Sequence, residues 1–188
     1  MKLKLKFLLL TFVCFYIHSF GQLSNYSLVI GGNFSFQKNY PKTSGATIFN
    51  LNPEIGFVYK NKWESGFLIS FSRTIFYGDE INTIKLFGGG IYTKRYFHLN
   101  DKIYFALRGN LSTGIQSFYN SSNSSRYSDL MIVPSFTFFP IKNFSINAGI
   151  GIFGLKFMEN TTTITLNSTN FSIGISFFIA KKQKNSGQ

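Results

Sequence analysis

Cysteine is all but absent from this chain of 188 residues; the one present, Cys14, lies near the start. Histidine occurs twice, at His18 and His98, and acidic residues number seven against nineteen Lys and Arg. Long apolar runs are missing too. The longest, Phe7 to Ile17, is too short to span a bilayer comfortably. These shortages exclude several classes. A disulfide scaffold and a Cys-ligated metal site need thiols the chain lacks beyond position 14. A His-based metal cluster needs more imidazoles, so no metal and no cofactor is expected. No later segment reaches the length of a membrane helix.

The opening residues form a separate unit. Lys2, Lys4 and Lys6 make a basic start, the apolar run follows, and His18-Ser19-Phe20-Gly21 is a short exit ending on a small residue. This is the layout of a secretory signal peptide, expected over residues 1–21. A lipoprotein signal needs a small residue just before its cysteine, whereas Cys14 follows Val13 inside the run. Cys14 therefore leaves with the segment. The formal charge of +12 drops to about +9 once the three lysines go with it. The remaining basic residues are scattered and form no stripe with aromatics between them, which argues against nucleic acid. They suit wet loops and attraction to anionic lipid headgroups or lipopolysaccharide.

The rest, residues 22–180, reads as one domain rich in Phe, Asn, Ser, Thr, Ile and Gly, a composition for strands and turns. Near its end, Phe171, Ile173, Ile175, Phe177 and Ile179 alternate with Ser172, Gly174 and Ser176. In a strand the first set points one way and the second the other. In water the apolar side needs a second protein layer, whereas in a bilayer lipid covers it. Runs of this kind recur at 27–37, 49–59, 63–75, 84–97, 103–118, 128–139, 144–156 and 170–180, predicting eight strands. The connections alternate. Those at 60–62, 98–102 and 140–143 are short; those at 38–48, 76–83, 119–127 and 157–169 are longer and polar. Short turns on one side and long loops on the other describe an all-β, antiparallel up-and-down transmembrane barrel. Its even strand count puts both termini on the short-turn, periplasmic side.

Charge sets the faces, because a Lys or Arg on the lipid side at mid-depth costs roughly 2–4 kcal/mol. In the second strand Leu51, Pro53, Ile55, Phe57 and Tyr59 are expected outside, with Asn52, Glu54 and Gly56 inside. In the fifth, Ile103, Phe105, Leu107, Leu111 and Ile115 face out and Tyr104, Ala106, Arg108, Asn110 and Ser112 face in. Arg73, Lys94 and Lys156 break the rule but lie near predicted strand ends, within reach of headgroups or water. In the fourth strand Gly88-Gly89-Gly90 is a place for a bulge that resets the register. Tyr59, Trp63, Tyr92 and Tyr96 are expected at the periplasmic interface and Tyr77 at the outer one, where amphipathic rings settle.

The pattern resembles the small outer-membrane β-barrel family of Gram-negative bacteria, of the OmpX and OmpA membrane-domain kind. The resemblance is carried by Asn52-Pro53-Glu54-Ile55-Gly56-Phe57-Val58, by the turn from Lys60 into Trp63, by Gly90-Ile91-Tyr92-Thr93-Lys94-Arg95-Tyr96-Phe97, and by the closing strand to Phe178. It implies an outer-membrane location among lipid and lipopolysaccharide, and insertion by the barrel-assembly machinery. Many members end on an aromatic residue; here a basic tail, 181–188, follows, so the assembly signal is expected inside, at Phe177 or Phe178.

An eight-stranded barrel has room inside only for its own side chains. Two lumen ion pairs are expected, Glu54 with Arg108 and Glu64 with Arg95. Catalysis is not expected: hydrolysis typically needs a histidine base, and His98 sits in a predicted turn beside Asp101. Gly149-Ile150-Gly151-Ile152-Phe153-Gly154 has dinucleotide-fingerprint spacing, but no helix-forming segment follows. Gly149 and Gly151 read better as small inward residues. The Asn-x-Ser/Thr triplets at Asn120, Asn123 and Asn160 follow from composition and imply no glycosylation. The long loops are the working surface, though the residues name no extracellular ligand for them. The reading is a non-enzymatic barrel with a structural, adhesive or surface-binding role. A narrow channel for ions or small solutes is the first alternative. A soluble secreted barrel around an apolar ligand is the second, and it requires large apolar residues inside and charges outside.

Overall fold

Alternating large-apolar and small-polar residues leave each segment one greasy face and one hydrogen-bonding face, and a sheet closed on itself separates the two completely. The computed structural model describes residues 23, 27–39, 45–77, 82–118, 124–158 and 161–179. It holds eight strands: β1 (Leu28–Asn39), β2 (Gly45–Tyr59), β3 (Trp63–Tyr77), β4 (Asn82–Asn100), β5 (Ile103–Phe118), β6 (Ser124–Ile141), β7 (Phe144–Met158) and β8 (Thr161–Ile179). Each pairs antiparallel with its chain neighbour, and β1 pairs with β8 to close the barrel. The predicted signal segment and the basic tail lie outside the described residues.

Most strands outrun their predicted limits at the long-loop end. The largest difference is β8, which begins at Thr161, so most of the predicted 157–169 loop is a hairpin continuing β7 and β8. Its threonines are polar enough for a loop and also among the better strand formers. At the short-turn end only Asp101-Lys102 and Lys142-Asn143 separate β4 from β5 and β6 from β7. Lys60 and Asn61 make the β2–β3 turn with φ of 52° and 53°.

The outer surface is apolar. Phe57, Phe67, Phe87, Ile91, Leu111, Phe171 and Phe177 are all more than half exposed. They touch only neighbouring side chains on the same outer face, as Phe87 does Phe71 and Phe177 does Phe144. This arrangement is the reverse of what a soluble barrel around an apolar ligand requires. Polar and charged groups, among them Glu54, Glu64, Lys94, Arg108 and Asp129, are buried inside.

Two register details decide which charges enter. The bulge expected at Gly88–Gly90 does not form; pairing of β4 with β3 and β5 runs unbroken through it. Even-numbered residues of β4 therefore face inward over 88–96, and Lys94 is buried while Arg95 is exposed. The register breaks instead in β7, where residues 150–152 face only two residues of β6 and Gly151 adopts φ 78°. That left-handed conformation favours glycine. One extra residue flips the phase, so that Ser145, Asn147 and Gly149 face in before it and Gly154 and Lys156 after it. Lys156 is thereby turned into the lumen, where its Nζ donates to Gln116 Oε1 at 3.2 Å.

Candidate functional site

The lumen has two unlike halves. At the short-turn end it is plugged. Val29, Val58, Tyr96, Tyr104, Ala106, Phe139 and Phe178 form one buried cluster, joined by Leu23 ahead of β1. Four rings cross the interior in sequence: Tyr96 to Tyr104 at 6.1 Å, Tyr104 to Phe139 at 5.4 Å and Phe139 to Phe178 at 5.3 Å between centroids. Phe139 is 1 % exposed.

A charged belt sits on this plug. Arg108 Nη1 donates to Glu54 Oε2, and Arg108 Nε donates to Asn110 Oδ1 at 2.6 Å. The Arg108 guanidinium also lies 4.3 Å from the Tyr92 ring centre. Glu64 is held differently. Tyr92 donates its hydroxyl to Oε1 at 2.6 Å and Tyr96 donates to Oε2 at 2.5 Å. Lys94 Nζ donates to Asn147 Oδ1 at 2.8 Å and lies over the Tyr96 ring. Two basic side chains and two carboxyl side chains thus share one layer, and their formal charges cancel. Each charge has polar or aromatic partners, as burial demands.

Three of the expected positions are corrected. Arg95 is outside rather than paired with Glu64, and stacks 5.2 Å from Trp63 and 5.0 Å from Phe97. Tyr92 and Tyr96 lie in the lumen rather than at the membrane interface. All three follow from the unbroken register of β4 over residues 84–98. Aromatic character alone does not distinguish an interfacial tyrosine from one whose hydroxyl serves a buried carboxylate. Tyr59 and Trp63 stand side by side at the short-turn end, and Tyr77 is exposed at the other rim.

Above the belt lies a cavity of about 270 Å³ with a mixed polar and apolar lining and room for several water molecules. Asn33, Ser35, Asn50, Asn52, Ser70 and Asn110 line much of it. They bond to one another across strands, as Asn50 Nδ2 does to Ser35 Oγ and Ser70 Oγ to Asn52 Oδ1, both at 2.8 Å. Asp129 accepts from Ser112. The sequence reading missed Asn147 and Asp129 as members of this network, and its placement of Lys94 on the outer wall within reach of headgroups or water is corrected: Lys94 is buried in the lumen. Alternation along β6 puts Asp129 on the inward face, but its partner on a neighbouring strand depends on register.

His98 and Asp101 are both exposed at the short-turn end, with Nε2 and Oδ1 4.0 Å apart. Among the described residues no group of three His, Cys, Asp or Glu side chains is placed to hold a metal ion.

An apolar outer wall, a polar interior and a closed eight-stranded sheet define the class, a small β-barrel of the transmembrane type. No family model and no curated protein matches the chain by sequence. Solved structures match it in fold. Neisserial surface protein A (NspA) is 15% identical, with a TM-score of 0.52 over 80% of this chain and 96% of that one. Ail of Yersinia pestis, solved in a phospholipid bilayer nanodisc, is 16% identical with a TM-score of 0.44, over 82% and 100% of the two chains. Ail in complex with the heparin analogue sucrose octasulfate is 16% identical with a TM-score of 0.47, over 81% and 97%. At such identities the likeness is one of fold. The chain has the fold of the small eight-stranded outer-membrane barrels, as its sequence pattern suggests.

Proposed function

We propose that this protein is an integral outer-membrane barrel that works through its long-loop end, as a structural or surface-binding element rather than as an enzyme or a conduit. In this reading the short turns and both termini face the periplasm. Outer-membrane lipid and lipopolysaccharide surround the wall. The barrel-assembly machinery inserts the chain through its closing strand, where Phe177 presents outward. The observation that carries the non-conducting part is the plug. A path along the axis has to pass four packed rings and then a belt of paired charges, and eight strands leave no width for a detour. The exposed His98–Asp101 pair has the look of a solvated turn, and general-base work needs a positioned, partnered imidazole.

Fractionation and electrophysiology test the two parts separately. The barrel is expected in the outer-membrane pellet, with mobility on a gel that changes on boiling. In planar bilayers it is expected to give no stable conductance steps. Recovery in the soluble fraction without detergent overturns the membrane placement. Reproducible single-channel steps overturn only the non-conducting reading and favour the narrow channel.

A further inference from the structure

The outward face of β3 and β4 carries a pair of cations where strand pairing alone offers them nothing. Arg73 and Lys85 are direct cross-strand partners, both exposed and both outside the barrel. Side chains so paired start about 5 Å apart, and like charges there repel. Among the described residues neither has an ion-pair or hydrogen-bond partner. Ser117 of β5 continues the same row beside Lys85.

Their depth is fixed by the same two strands. Trp63 and Arg95 are also cross-strand partners, stacked on each other beside the short turn. From Trp63 to Arg73, and from Arg95 to Lys85, is ten residues. At about 3.3 Å per residue and a tilt of about 40°, ten residues climb roughly 25 Å, the height of the apolar band of such a barrel. The outward residues between are Ser65, Phe67, Ile69 and Phe71 on one strand and Phe87, Gly89, Ile91 and Thr93 on the other, with no charge among them. Directly below the two cations Phe71 and Phe87 stack at 5.1 Å. The patch therefore offers, from the rim downward, two cations with a hydroxyl and then a greasy aromatic step.

From this geometry we infer that Arg73 and Lys85 form a lipid-phosphate site, which clamps the phosphorylated headgroup of an outer-leaflet lipopolysaccharide while its acyl chains lie on Phe71 and Phe87. The inference rests on the outer-membrane reading. The phosphate lies between the cations and removes their repulsion, and Ser117 adds a hydroxyl donor. Charge complementarity selects the headgroup and the phenyl step selects a lipid over a free anion.

The test uses the full barrel inserted in phosphatidylcholine vesicles containing either diphosphorylated lipid A or the same lipid with its phosphates removed. Lipid A is expected to raise the apparent folding equilibrium constant of the wild type about thirtyfold, from two near-surface cations, and the dephosphorylated lipid far less. The Arg73→Gln/Lys85→Gln variant is expected to lose most of this gain while folding at least as well as the wild type in phosphatidylcholine alone. An equal gain in the variant, an equal gain from dephosphorylated lipid, or an equal gain from millimolar inorganic phosphate overturns the site. Failure to insert into any vesicle overturns the membrane reading itself, which the wild type reports before the variant is made.

Discussion

Removing the carboxylate of Glu54 tests whether the lumen belt is held by charge balance. The Glu54 and Arg108 side chains are 2% and 8% exposed. Breaking a buried pair by deleting one partner typically costs 3–5 kcal/mol, because the other charge is left uncompensated. The adjoining cavity gives Arg108 access to water, so Glu54→Gln is expected near the lower limit, about 3 kcal/mol, or a hundredfold in the folding equilibrium constant. Arg108 then faces Lys94, its direct cross-strand partner. Two unit charges about 5 Å apart at an effective dielectric of about 20 repel by roughly 3 kcal/mol. Replacing Lys94 by Met removes that repulsion and forfeits the hydrogen bond to Asn147, which is worth about 1 kcal/mol. Lys94→Met is therefore expected to recover about 2 kcal/mol in the Glu54→Gln background. In the wild type it is expected to destabilise, because it leaves two carboxylates and one cation in the layer. Urea unfolding in vesicles measures all four proteins, with Trp63, the single tryptophan, as the fluorescence probe. Additive effects of the two substitutions, with no change of sign, refute a charge-balanced belt.

Other substitutions probe separate parts. Gly151→Ala forces a Cβ into the positive-φ bulge and is expected to cost about 1–2 kcal/mol, read as a lower urea midpoint. Tyr96→Phe deletes one of the two hydroxyls on buried Glu64 and is expected to cost about 1–3 kcal/mol, whereas Tyr59→Phe on the outer wall changes the midpoint little. Gly56→Val places a side chain where the Tyr92 hydroxyl lies, so Glu64 loses that donor too; unfolding is expected to resemble Tyr92→Phe with added strain. Arg95→Ala removes the cation stacked on Trp63 and is expected to cost about 0.5–1 kcal/mol and shift the tryptophan emission, while the lumen network is untouched.

Much of this architecture was legible because a strand's period is two and a lipid-facing wall tolerates almost no charge. The faces of β2 and β5, the strand count and the up-and-down order follow from those two facts. So does the inward placement of Glu54 and Arg108, although their contact depends on how β2 and β5 sit across the barrel. What stayed hidden turns on single residues. Lys94 and Arg95 are both basic and adjacent, and alternation sends one in and the other out without saying which. The run of three glycines near them has the composition of a bulge yet pairs straight through. Gly151 has an inward glycine's neighbours and is the bulge. Composition permits a register shift at either place; long-range pairing chooses one.

The choice has a consequence for how the barrel divides its work. An outward Lys94 would put a charge on the wall one residue inside the ten-residue span that carries charge only at its ends. With Lys94 inside and Arg95 outside, one strand serves both needs. Lys94 balances the lumen, and Arg95 with Trp63 marks the lower edge of the apolar band. Lys85, ten residues on, marks the upper edge beside Arg73. Inside the wall, the charges of the belt are bound to partners within the barrel. Outside it, Arg73 and Lys85 are exposed and have no ion-pair or hydrogen-bond partner among the described residues, which is the basis of the proposed phosphate site. The proposed recognition at the rim and long loops fits this division, because the charges of the interior already have partners within the barrel.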